Sequence, residues 1–159
     1  MKKFNLAFAA IGIIAFVFVG SFTNTSKLMA QDREVVTVQS KKSFDETVDQ
    51  LHQLVAKNGM MVLAEVNHGK ILSMTGLDVK GIAFFVGNPQ IGKELFTANR
   101  GTGLAVPIRL NIYEGSDGKT YVNYVKPSTQ LASFSNEMIN KIGEKLDQKL
   151  AMLTGMLSK

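Results

Sequence analysis

The sequence predicts an α+β domain: a mostly antiparallel sheet with an N-terminal helix and a long C-terminal helix packed on one face. Three observations predict it. Apolar residues recur at +3 and +4 steps from Phe44 to Val55 and again from Met138 to Leu157, the period of helices with one buried face. Between those segments, Leu104 to Tyr113 alternates apolar and polar at period two, as a half-buried strand does. Gly115-Ser116-Asp117-Gly118 then reads as a hairpin turn into a second strand-like run, Thr120 to Val125.

Taken in order, Val35 to Gln39 (VVTVQ) is rich in β-branched residues and reads as the first strand. Ser43 with Glu46 three positions on is a capping-box pattern, in which each side chain satisfies a free backbone N–H. Phe44, Val48, Leu51 and Val55 share one face of the helix that follows, and Asn58-Gly59 stops it. Met60 to Asn67 is the next strand, with Met60, Val62, Ala64 and Val66 expected on one face. His68 to Lys80 is a variable connection, with a short helical turn at Ile71, Leu72 and Met74 broken up by glycines. Ile82 to Val86 is fully apolar and reads as an interior strand. Pro89 suits the first turn of a short extra helix running to about Ala98, where its missing N–H costs nothing. Leu104 to Tyr113 is expected as one strand whose apolar face includes Leu104. Pro107 lacks a ladder donor and implies an edge position or a bulge. The last helix runs from about Ser135 to Leu153 or beyond, with Met138, Ile142, Leu146, Leu150, Leu153 and Leu157 on its apolar face. Gly143 within it points to a close approach to the sheet.

The 159-residue chain divides into residues 1–30, a connector and first strand over 31–42, and the remainder of a single domain over 43–159. Lys2 and Lys3 precede an uncharged apolar run from Leu6 to Val19, the form of a secretory signal and shorter than a usual bilayer span. Two readings stay open: a signal peptide cleaved near Ala30 or earlier, giving a periplasmic or secreted protein, and an uncleaved membrane anchor through residues 6–20. The formal net charge is +5, but removal through Ala30 takes Lys2, Lys3 and Lys27 and leaves 15 basic against 13 acidic residues, a net of +2. The basic character is therefore partly a targeting property, and the dispersed lysines give no nucleic-acid patch. The absence of cysteine excludes disulfides, thiolate nucleophiles, iron–sulfur clusters, covalent c-type haem and a lipidated-cysteine anchor.

Several short stretches carry a family resemblance: Val66-Asn67-His68; Phe85-Val86-Gly87-Asn88-Pro89 with Gly92 beyond it; Leu104-Ala105-Val106-Pro107; Gly118-Lys119; and Asn123-Tyr124. On these the segment from about Ser43 to Leu153 resembles the domain of unknown function 302 family. The resemblance implies a TT-type fold related to the TATA-binding-protein-like architecture, in β-α-β(4)-α order, and a homodimer. It implies no biochemical role. Asn67 stands where the family carries Asp, which removes a carboxylate beside His68, and Ala105-Val106 separate a Leu and Pro that are adjacent in many members.

Five residues are candidate ligand contacts. His68, at a strand end, suits a metal or haem ligand or a group titrating near neutrality; alternatively it is a loop histidine bonded to neighbouring backbone. Asn88 and Lys93 flank a helix N-terminus that can hold an anion, or Asn88 is simply the cap and Lys93 solvated. Arg109 shares a polar strand face with Asn111 and can meet a carboxylate on a ligand or partner subunit. Tyr124, with Tyr113 and Tyr121, can form an aromatic wall. Met60, Met61 and Met74 admit a soft-metal reading, although methionine more often fills core gaps. The sequence shows no nucleophile elbow, zinc-protease histidine pair, phosphate loop or calcium loop.

The function expected is therefore an exported, non-enzymatic binding or interaction domain that takes a small or apolar ligand or a partner protein. A haem- or metal-binding domain using His68 with a Met or Tyr is one alternative. The other is a small hydrolase or isomerase with His68 as base and Arg109 as anion clamp, which requires both side chains on one pocket.

Overall fold

The computed structural model describes residues 34–159. The leader expected over residues 1–30, and residues 31–33 of the connector, lie outside that range. Val35–Gln39 forms β1 and Phe44–Lys57 forms α1, as the sequence implies. Glu46 accepts the Ser43 backbone N–H at 3.1 Å and its hydroxyl at 2.6 Å, so one carboxylate ties down the helix start. These bonds, the hydroxyl's foremost, hold the Glu46 carboxyl below the usual glutamate range. At the far end Gly59 takes a φ of +67°, a left-handed turn that glycine adopts without a Cβ clash.

The sheet comprises β1, β2 (Met61–Asn67), β3 (Gly81–Gly87), β4 (Ile108–Glu114) and β5 (Thr120–Val125). Its order is β1-β5-β4-β3-β2, and every neighbouring pair is antiparallel. Phe84, Val86, Leu110, Ile112 and Val122 point to one face. There they pack with Leu51 and Val55 of α1 and with the apolar stripe of α5 (Glu137–Gly155), all buried in one core. The other face carries the alternate residues, and it is the polar one. Three more helices complete the chain: α2 (His68–Ser73), α3 (Pro89–Ala98) and α4 (Pro127–Leu131). α2 answers the ambiguity of His68 to Lys80: the Asn67 side chain accepts the Lys70 N–H at 2.8 Å and starts the helix at His68.

Five expectations are corrected. Leu104 is not on a strand but ends a 3₁₀ turn, Arg100–Leu104, and is 92% exposed. That turn is capped by Asn99, whose Oδ1 accepts the Gly101 N–H, and β4 begins only at Ile108. Pro107 thus sits just before an interior strand and takes no place in its ladder. In β2 the alternation changes phase: Val62 faces Val86, but Ala64 faces Phe85 and Glu65 faces Phe84, with Leu63 the extra residue of a bulge. Val62 and Glu65 therefore share the helix-covered face, while Ala64 and Val66 lie on the polar one. Glu65 is accommodated there by His52, whose Nε2 lies 3.1 Å from its Oε1 and whose ring lies 4.4 Å from that of Phe84.

In α5 the buried residue of the first turn is Ile139, with Met138 46% exposed. Asn136 caps the helix by accepting the Ile139 N–H, and the rest of the expected stripe, Ile142 to Leu157, is buried as expected. Gly143 approaches α4 and not the sheet: a Cβ there would stand 2.8 Å from the Ser128 Cα. The same junction is fixed by Asp147, which accepts the Ser128 backbone N–H at 3.0 Å and its hydroxyl.

Candidate ligand-binding site

Period two places a defined row of side chains on the polar sheet face. Phe85 stands opposite Arg109, Asn111 opposite Asn123, and Asn123 opposite Thr37. One row further along, Tyr113 stands opposite Tyr121 with ring centroids 5.5 Å apart. At the margin, His68 leaves the end of β2 and packs by Gly81, where a glycine Cβ would lie 3.7 Å from the His68 Cβ.

Of these, His68, Phe85, Arg109, Asn111 and Asn123 line a cavity of about 600 Å³ that crosses the sheet from Val35 on β1 to His68. Its wall includes Phe85, Pro107, Arg109, Asn111 and Asn123, with Gln130 and the exposed Leu104 at the rim. It contains an arginine and a histidine and no Asp or Glu. Among the described residues no carboxylate pairs with Arg109. Asn111 Nδ2 donates to Asn123 Oδ1 at 3.1 Å, which locks the two amides side by side. That bond leaves the Asn123 amide N–H groups and the Asn111 carbonyl turned to other partners. The chemistry assembled is a fixed cation with planar donors, a neutral donor–acceptor pair, an imidazole and an aromatic wall. That set holds a planar anion and one hydrogen-bonding group beside it.

Of the sequence candidates, His68 and Arg109 come together on this cavity. Asn88 and Lys93 do not. Asn88 is the cap of α3: its Oδ1 accepts the Gln90 and Ile91 N–H groups at 2.9 and 3.1 Å, and its Nδ2 donates to Gly59 O at 2.6 Å. Lys93 is exposed on α3 and lines neither this cavity nor the smaller one beside α3. Tyr124 borders the cavity floor but is only 4% exposed, and alternation turns its side chain into the core under α5. Burial there pushes its phenol above the usual range. The three methionines do not gather, since Met60 is buried, Met61 lies exposed on the β2 edge and Met74 is 79% exposed beyond α2. Among the described residues no three His, Asp or Glu side chains come together as metal ligands.

Phe85, Asn111 and Asn123 are site residues that were not singled out as ligand contacts. The Asn pair was within reach of counting. Both asparagines are six positions from Asp117 at the hairpin tip, so a symmetric hairpin sets them opposite. Phe85 gave no signal, because a strand apolar on both faces hides which side is exposed.

A second, smaller cavity of about 200 Å³ lies beside the first, between α3 and the ends of β2, β3 and β4. Its wall is apolar: Leu63, Val86, Ile91, Leu95, Phe96, Val106 and Leu146 contribute, and Pro107 borders both cavities.

Comparison with known proteins places these observations among relatives. A family model described as "Domain of unknown function DUF302" matches residues 36–157. A solved structure, "Crystal structure of uncharacterized conserved protein DUF302 from Bacillus stearothermophilus", superposes with a TM-score of 0.72 at 22% identity, covering 77% of this chain and 97% of that one. Two curated relatives carry the name "Fluoride-specific ion channel FluC 1", from Brucella suis biovar 1 (strain 1330) and Brucella abortus biovar 1 (strain 9-941). Each is 33% identical over 98 residues, 61% of this chain. The matched stretch spans only 39% and 36% of their lengths, well under half. Among the described residues no helix is long and apolar enough to cross a membrane.

Proposed function

The chain belongs to the DUF302 family of unknown function, and from that premise we propose that it is a non-enzymatic binding domain whose site is the polar sheet face and whose ligand is a small carboxylate. The observation that carries this is Arg109, a guanidinium with no acidic partner among the described residues, set in a cavity that holds no acidic side chain. A carboxylate meets the guanidinium through two parallel hydrogen bonds, and the Asn111–Asn123 pair recognises a neighbouring polar group. Phe85 excludes water from one side, which strengthens both contacts.

The wall of the cavity brings no serine or acidic side chain as nucleophile, and this favours retention over turnover. A second reading, a hydrolase or isomerase with His68 as base, is favoured by one observation: His68 and Arg109 line the same cavity. Turnover of a carboxylate substrate that is abolished by His68→Ala supports that reading against simple binding. Export through residues 1–30 and pairing of two copies belong to the same proposal. The exposed sheet face is a surface on which a second copy can close over the ligand.

Isothermal titration with butanoate, with fluoride as the control anion named by the Brucella relatives, tests the proposal. Hydrogen bonds to a charged group contribute about 1.5–3 kcal/mol, so Arg109→Gln weakens butanoate by about 10- to 150-fold. Equal butanoate binding by the variant and the parent chain overturns the assignment of Arg109. Binding of fluoride in place of butanoate overturns the ligand class.

A further inference from the structure

The two cavities are neighbours of opposite character, and Pro107 forms part of the wall of each. The polar one ends in Arg109. The apolar one is bordered by the bulged Leu63, by Ile91 and Phe96 of α3, and by Val106. Its one polar side chain, Asn88, has both ends hydrogen-bonded to backbone. A cavity so lined is unfavourable for water, and an apolar cavity of about 150 Å³ is large enough to take benzene. Leu63 is 55% and Phe96 46% exposed, so the mouth is rimmed with apolar surface left in solvent. Gly92 keeps the cavity open from the α3 side: a Cβ added there would meet nothing within 4 Å.

We infer that the carboxylate ligand of the polar face is an amphiphile, with its head on Arg109 and a straight apolar chain passing Pro107 into the cavity beneath α3. The inference rests on the carboxylate reading above and adds the ligand's other end. By proportion with benzene, a cavity of about 200 Å³ takes a chain of about eight carbons. Shorter acids leave it partly empty, and longer ones extend into solvent.

The test is a titration series of butanoate, hexanoate, octanoate, decanoate and dodecanoate against the full chain, the Arg109→Gln variant and the Gly92→Leu variant. Position 92 lines the cavity and has room for a Cβ, and leucine is a better helix former than glycine, so this variant is expected to keep the fold while narrowing the cavity. Each buried methylene is expected to raise affinity about three- to fourfold until the cavity is full, after which the series levels off. Gly92→Leu flattens that rise while butanoate binds as before, and Arg109→Gln weakens every member alike. Arg109-dependent binding of butanoate with no gain on lengthening overturns the tail site and leaves the carboxylate reading standing. A gain with length that Gly92→Leu does not diminish places the chain elsewhere and also overturns it. Failure of every acid to bind removes both.

Discussion

Tyr121 and Asp117 show at single-residue scale how this hairpin is held. The Tyr121 hydroxyl donates to Asp117 Oδ2 at 2.7 Å, and the Lys119 backbone N–H donates to Oδ1 at 3.1 Å. These bonds, the tyrosine's foremost, hold the Asp117 carboxyl below the usual aspartate range, and the same bond raises the Tyr121 phenol. A carboxyl depressed in the folded state adds stability above its unfolded-state range, and that contribution is lost as pH falls through the folded value. Carboxyl-carbon NMR titration is therefore expected to give Asp117 a midpoint below ordinary aspartates, returning upward in Tyr121→Phe. An unchanged midpoint in the variant contradicts the bond. The aromatic wall expected from three tyrosines was half legible for a related reason. Tyr121 and Tyr124 are three positions apart, an odd spacing, and so cannot share a face of one strand. Only Tyr113 and Tyr121 meet, and Tyr124 goes to the core. Asn88 likewise reads as a cap from its chemistry alone, while the isolation of Lys93 from both cavities depends on where α3 lies in space.

At the scale of elements, local chemistry fixed what could be read and pairing fixed what could not. The ends of α1 follow from Ser43, Glu46 and Gly59, all within the segment itself. The apolar stripe of α5 was legible from Ile142 to Leu157, and only its first member differs, with Ile139 buried in place of Met138. Ile139→Ala is expected to cost about 2–5 kcal/mol by urea denaturation, as for other large-to-small changes in a core. Met138→Ala should stay within about 0.5 kcal/mol. Equal losses at the two positions contradict the observed phase. Gly143 supplies a sharper case. Glycine to alanine inside a helix ordinarily gains about 1 kcal/mol. Here the new methyl meets the Ser128 backbone at 2.8 Å, and α4 is held in place by Asp147. Gly143→Ala is thus expected to destabilise by about 1–3 kcal/mol, the usual cost of overpacking, and a gain in stability would show that α4 yields. The bulge at Leu63 left no mark in the sequence of β2, because a bulge is defined by the strand opposite it. It matters for the site, since it turns Ala64 and Val66 onto the polar face and frees Leu63 to pack over Gly87.

At the scale of the molecule, one sheet divides two environments. Its apolar face lies under α1 and α5. Its other face presents Arg109, the asparagine pair and Phe85 around one cavity, with His68 at the margin. The division was legible from alternation alone in β4 and β5, and the helix-covered layer from two amphipathic segments. That His68 and Arg109, 41 positions apart, meet on one cavity was not legible, because it depends on β2 and β4 both flanking β3 and on α2 folding back at Gly81. Amide NMR of the ¹⁵N-labelled protein during titration with octanoate tests this division most directly. Shifts centred on Phe85, Arg109, Asn111 and Asn123 and reaching Ile91 and Phe96 of α3, with His52 and Glu65 unmoved, are the expected result. Shifts confined to the helices, or none at saturating octanoate, contradict it.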